Sequence, residues 1–223
     1  MELLVHGHGG ARVLVFPTSQ GRFYEWEERG MCTTLGEHLE NGWLQLFCVD
    51  SVDAESWYAK WKWPGDRAWR HELYERYILH EVVPFTRHCN ANKYQIVTGA
   101  SLGAYHAVNF AFRHPQEVGR VLGMSGLYSI RELTGGYTDA NVNVHDPSQY
   151  MSHNYDAGWY DAVRRLDIIL AIGRDDAHYE DNVRLSNVLW SRGIWHAFRP
   201  WDGWAHDWPW WQQMVQQYIG GEA

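Results

Sequence analysis

The sequence predicts an α/β protein built on one mostly parallel sheet with helices on both faces. Three observations carry this reading. Short apolar runs of five to seven residues alternate with helical patterns along the whole chain, the first such run opens directly into a Pro/Ser/Gly loop, and no internal repeat or linker interrupts the alternation. At 223 residues the chain fits one domain over residues 1–223.

Taken in order, Ala11 to Phe16 is a buried strand closed by Pro17-Thr18-Ser19-Gln20-Gly21. Gly30 to Asn41 carries a helical pattern that ends at Asn41-Gly42, and Leu44 to Val49 is the next strand, completing a β-α-β unit. Leu73, Tyr77, Ile78, Val82 and Phe85 then recur at helical spacing, which predicts one long helix from Asp66 to about Cys89, kinked by Pro84. Tyr94 to Thr98 is a strand, Leu102 to Arg113 a helix stopped by His114-Pro115, and Val118 to Met124 a further strand.

Thr134 to Trp159 is rich in Gly, Asn, Asp, Tyr and Ser and has no clear period, so it reads as a long border loop rather than a separate lid domain. Leu166 to Ile172 is a strand, Glu180 to Ser191 a helix and Trp195 to Arg199 the last strand. A helix from about Trp208 to Ile219 closes the chain, with Asp207 as its cap beside Pro209.

The balance of charge narrows the function. A net charge of -8 disfavours a nucleic-acid binder, whose affinity rests on Lys and Arg at phosphates, and points to neutral or weakly charged small molecules. No apolar run is long enough to span a membrane, and Met1 to His8 lacks the charged-then-apolar order of a secretory signal, so a cytoplasmic protein with no membrane partner is expected. A homo-oligomer is compatible with the sequence.

Cys32, Cys48 and Cys89 are an odd set without Cys-x-x-Cys spacing, which predicts buried free thiols and no disulfide framework. The 13 histidines include no ligand spacing such as His-Glu-x-x-His, so neither a metal nor another cofactor is expected. Fourteen tryptophans gather partly in two clusters, at Trp57 to Trp69 and Trp201 to Trp211. They serve either as ordinary packing or as the walls of an aromatic cleft.

Chemistry concentrates at Gly99-Ala100-Ser101-Leu102-Gly103, where a serine sits between two glycines at a strand-to-helix junction. This is the pattern of a nucleophile elbow, whose turn is so sharp that the positions two away must lack side chains. A serine needs a base, and the base needs a carboxylate to orient it, in the chain order Ser, acid, His. Gly173-Arg174-Asp175-Asp176 and Gly203-Trp204-Ala205-His206 each follow a predicted strand, where catalytic loops belong.

His206 is the expected base, since His196 falls inside a predicted strand and His178 precedes a helix. Asp176 is preferred to its neighbour Asp175 as the acid. The oxyanion donors are expected at the amide of Leu102 and, from the loop after Phe16, at Ser19 or next to it Gln20. Trp204 and Trp208 flank His206 as candidate substrate-binding walls.

These motifs, with Glu-Asp-Asn at 180–182 and Gly-x-x-His-Asp-Trp at 203–208, resemble the esterase family that groups S-formylglutathione hydrolases, feruloyl esterases and antigen 85-type mycolyltransferases. The resemblance runs from Val13 to Trp211. It implies an α/β-hydrolase fold, with Ser101 as nucleophile, Asp176 as acid, His206 as base, and Leu102 and Ser19 as amide donors. That family often begins with one more strand, which either Met1 to His8 supplies or the sheet lacks. The expected activity is cleavage of a small-molecule ester through an acyl-enzyme. An acyltransferase on the same residues and a non-catalytic binding protein on the same fold are the alternatives.

Overall fold

The computed structural model describes residues 1–154 and 156–220. Seven strands form one sheet: β1 (Leu3–His6), β2 (Ala11–Phe16), β3 (Leu44–Val49), β4 (Gln95–Ala100), β5 (Arg120–Met124), β6 (Asp167–Gly173) and β7 (Ala197–Trp201), in the order β1-β3-β2-β4-β5-β6-β7. All neighbours pair in parallel except β1, which runs antiparallel to β3. The amino-terminal segment therefore does supply an extra strand, on the outer edge.

Period-two alternation divides the strand residues between two cores. Leu14, Phe16, Phe47, Val97, Ile168 and Leu170 face one layer; Val13, Val15, Leu46, Ile96, Ile169 and Ala171 face the other. Both faces are buried, which is why these strands read as continuous apolar runs in the sequence.

Between β2 and β3 the single helix expected over Gly30 to Asn41 is instead a chain of short turns: α1 (Glu25–Glu28), α2 (Met31–Thr34) and α3 (Gly36–Glu40). Leu35 and Gly36 interrupt the pattern, and Trp26, Met31 and Leu35 pin the turns to the sheet. The long helix is also divided. It comprises α4 (Pro64–Tyr77), a π-helical turn at Ile78–Val82 and α5 (Val83–Cys89). Pro84 cannot donate an N–H to the preceding turn and its ring crowds the carbonyl of His80, so the helix widens there rather than only bending.

After β4 comes α6 (Leu102–Arg113), almost wholly buried beneath the sheet. Four short helices follow, α7 (Arg131–Thr134), α8 (Ala140–Asn143), α9 (Pro147–His153) and α10 (Ala157–Val163), of which α8, α9 and the start of α10 fall in the segment expected to be an unstructured border loop. Asp139, Asp146 and Asp156 cap the last three through side-chain bonds to Val142, Gln149 and Trp159 amides. Helices this short show no apolar period, so neither they nor their caps stand out in the sequence.

Finally α11 (Tyr179–Ser191) covers one face and α12 (Trp208–Tyr218) the other, the latter capped by Asp207 with Pro209 in its first turn. The last strand lies two residues later than expected, so His196 precedes it; its Nε2 lies 2.7 Å from Ser186 Oγ in a buried contact. The three thiols are free, but only Cys48 is buried, and Cys89 is exposed on α5. Among the described residues no helix is long and apolar enough to cross a membrane.

Candidate active site

Parallel pairing aligns the carboxyl ends of β2, β4, β5, β6 and β7 along one edge, and the site is assembled there from the loops that leave them. Gly99 and Gly103 make the elbow possible. A Cβ on Gly99 would fall 2.4 Å from the backbone of Gly103, and one on Gly103 would fall 2.5 Å from the carbonyl oxygens of both Phe16 and Pro17. Ser101 stands between them at φ 55 and ψ -122, a backbone state that side-chain-bearing residues avoid. Its N–H donates to the Met124 carbonyl at 2.9 Å.

The structure brings Ser101, His206 and Asp176 together. His206 Nε2 lies 3.1 Å from Ser101 Oγ, and His206 Nδ1 lies 2.6 Å from Asp176 Oδ2. An ionised carboxylate only accepts, so Nδ1 carries the proton and Nε2 presents its lone pair to the serine hydroxyl. The Asp176 carboxyl is 1% exposed and its other oxygen accepts the His178 amide at 2.9 Å. Asp175 is exposed and, among the described residues, bonds only through its backbone N–H, to the Gly203 carbonyl.

The two loops that carry Asp176 and His206 are zipped to each other. Besides the Asp175 bond, the Arg174 amide donates to the Trp201 carbonyl, and Gly173 passes so close to Trp204 that a Cβ would meet its carbonyl oxygen at 2.1 Å. The Trp204 ring stacks on His206 with centroids 5.8 Å apart, and Trp211 meets the imidazole edge-on at 5.4 Å. Trp208 packs against Trp211 and under the Arg29 guanidinium.

On the other side of Ser101, the loop after β2 lies over the first turn of α6. Among the described residues the amides of Leu102 and Ser19 donate to no protein acceptor, whereas the amide of Gln20 is taken by Asp53 Oδ2 at 2.9 Å. The Ser19 hydroxyl accepts from Tyr58 at 3.0 Å. Beside His206, Leu127, Ser129, Arg131, Ala177, His178 and Asp181 help to line a cleft of about 220 Å³, and the His178 ring is 6.2 Å from that of His206.

Glu25, Asp53 and Ser125 reach into this region from positions that the sequence did not single out. Ser125 follows β5 as Ser101 follows β4, and its place just past a strand end was the available signal.

One set of potential metal ligands lies elsewhere. His71, Glu75 and His145 bring ligand-type atoms within 4.8 Å of one another in a buried cluster. Arg113 Nη1 is 2.6 Å from His145 Nδ1, and Arg113 Nε is 3.0 Å from Glu75 Oε1, so a guanidinium already occupies the electrostatic place of a cation. Burial pushes His71 well below the usual histidine range, helped by His145, His106 and Arg113, and burial also lowers His145.

A family model described as "Putative esterase" matches residues 46–219. Solved structures similar to the chain include a ferulic acid esterase (TM-score 0.73, 19% identity, 95% of this chain and 84% of that one). S-formylglutathione hydrolase from Staphylococcus aureus is similar at TM-score 0.67 and 18% identity over 96% and 81% of the two chains. MPT51 of Mycobacterium tuberculosis is similar at TM-score 0.66 and 17% identity over 97% and 90%. At these identities the likeness establishes the shared α/β-hydrolase fold. No curated protein sequence matches the chain.

Proposed function

The chain belongs to the Putative esterase family, and on that premise we propose that it is a serine carboxylester hydrolase acting on small to medium neutral esters through an acyl-enzyme. The observation that carries this reading is the unbroken hydrogen-bonded series Asp176 Oδ2, His206 Nδ1 and Nε2, Ser101 Oγ at 2.6 and 3.1 Å.

In this reading Ser101 Oγ attacks the ester carbonyl while its proton passes to His206 Nε2. Asp176 holds the tautomer and stabilises the imidazolium. The tetrahedral oxyanion is received by the amides of Leu102 and Ser19, each such donor being worth about 10²–10³ in rate. Collapse expels the alcohol, which takes the proton from His206; water then attacks the acyl-enzyme, again giving its proton to His206, and the acid leaves with Ser101 restored.

Trp204 over the base, and Trp208 one ring further out, are the proposed walls for the acyl group. A pocket gains about 0.8 kcal/mol per CH₂ that it can bury, and nothing once it is full. The test is covalent labelling with a fluorophosphonate, followed by kinetics on p-nitrophenyl esters of increasing length. The expected result is labelling of Ser101 and a kcat/KM maximum between acetyl and butyryl. An unlabelled protein without ester cleavage would overturn the reading, and a preference for palmitoyl esters would remove the aromatic walls from it.

A further inference from the structure

The loop Thr18 to Gly21 has three consecutive amides that could point at a substrate, and two of them are held by carboxylates. Glu25 Oε2 accepts the Thr18 amide at 2.8 Å while its Oε1 accepts the Thr18 hydroxyl at 2.7 Å. Asp53 Oδ2 accepts the Gln20 amide at 2.9 Å. The amide between them, that of Ser19, donates to no acceptor among the described residues.

The Asp53 anchor is built into the interior. The Asp53 side chain has no solvent exposure, and its second oxygen is 2.9 Å from Nε2 of His106, a buried residue of the elbow helix α6. The Asp53 backbone carbonyl accepts the amide of Tyr58, whose hydroxyl reaches Ser19 Oγ. The loop itself is closed by the Gly21 amide on the Thr18 carbonyl, with Gln20 held at φ 57, a left-handed state that a side-chain-bearing residue enters only under constraint.

We propose that Glu25 and Asp53 are positioning residues that clamp the peptide planes on either side of Ser19, leaving the Ser19 amide as the single free donor of the loop and aiming it at the oxyanion. The register supports this placement: Phe16 pairs with Gly99, and the carbonyls of Phe16 and Pro17 rest against Gly103, so the loop runs past the sheet edge alongside Ser101. The bond from Asp53 to His106 ties the loop to the helix that carries the Leu102 amide. The two donors are thus fixed relative to each other, as stabilisation of developing charge requires.

This inference rests on the esterase reading, and the experiment separates the two. Ester hydrolysis and affinity for a trifluoromethyl ketone, which is captured as a tetrahedral adduct, are measured for the full chain and for Glu25→Ala, Glu25→Gln, Asp53→Ala and Asp53→Asn. A donor that is present but misaimed should cost about 10- to 100-fold in kcat for the two alanine variants, with KM within about threefold and ketone affinity falling in parallel. The amide variants keep an acceptor oxygen and should recover most of the loss.

Alanine variants with wild-type kcat, or losses carried in KM with unchanged ketone affinity, would overturn the clamp. Should Asp53→Ala fail to fold, Glu25→Ala, at a partly exposed position, decides alone by the same criteria. A wild-type protein that neither hydrolyses esters nor takes a fluorophosphonate would sink the esterase reading and the clamp with it, whereas an active wild type with indifferent alanine variants would sink the clamp only.

Discussion

The hydroxyl of Ser125 donates to the backbone carbonyl of Ala205, the residue before His206, at 2.9 Å. The same oxygen accepts the indole N–H of Trp211 at 3.0 Å, and the Ser125 amide is bound to the Ala171 carbonyl at 2.7 Å. Both Ser125 and Ala205 sit at positive φ, 50 and 41. The position of His206 is therefore set from the end of β5, inside the sheet.

Ser125→Gly keeps the backbone state and removes both side-chain bonds, leaving a buried carbonyl and a buried indole N–H unpaired. About 2 kcal/mol of stability should be lost, together with at least about tenfold in kcat, because His206 is no longer held at its attack geometry. Denaturant midpoints and ester kinetics report the two effects. An unchanged midpoint would mean that the Ala205 loop is anchored by other contacts.

Ser101→Ala should abolish fluorophosphonate labelling and lower ester cleavage by several powers of ten while leaving the fold intact. Ser101→Gly should also melt higher than wild type. At φ 55 and ψ -122 the strain relieved is about 1 kcal/mol after allowing for the entropy of glycine, or roughly 2–4 °C in a chain of this size. A Gly variant that melts lower would show that the elbow stores no strain at this residue.

The two adjacent aspartates give a sharp contrast. Asp176→Asn leaves the imidazole without the carboxylate that selects its tautomer and should cost about 10⁴ in kcat. Asp175→Asn alters an exposed side chain and should stay within about threefold. Reversal of that order, measured on one short ester, would move the orienting role to Asp175.

Acid sensitivity should trace to the histidines buried beneath α6. His71 is held below its ordinary value of 6.5, so the unfolded chain takes up a proton there that the folded one refuses. The stability associated with neutral His71 is present above about pH 6.5 and is lost as pH falls below it. His71→Phe, which keeps an aromatic ring against Trp57, should make the slope of unfolding free energy below pH 6.5 shallower by about 1.4 kcal/mol per pH unit. Parallel slopes for the two proteins would show that His71 does not titrate on unfolding. His145, lowered by burial as well, remains in the variant and keeps part of the slope.

Much of the fold was legible in the amino-acid order. Strands buried on both faces must be apolar throughout, so the inner strands stood out as short runs bounded by loops. The elbow was legible because Gly99 and Gly103 lie in the same short segment as the serine they accommodate. Helices α8 to α10 were not, since each is too short for a period of 3.6 to show, and their capping aspartates look like ordinary loop residues until the turn that follows them is seen. The π-helical turn before Pro84 escaped because the sequence says that the ladder fails there, not how it is repaired.

By itself the sequence determined the mostly parallel α/β architecture and placed a serine, an acidic pair and a histidine in order after three strands, because local sterics and burial act between near neighbours in the chain. Only the tertiary structure decided which groups meet. The distance from Asp176 to His206, the anchoring of Ala205 by Ser125 and the hold of Asp53 on the amide beside Ser19 all join different loops, separated by dozens of residues. A hydrogen bond depends on ångström-scale distance and direction. Those are set by the order and register in which β2 to β7 bring their carboxyl ends to one edge, a property of the assembled sheet and of no single segment of the chain.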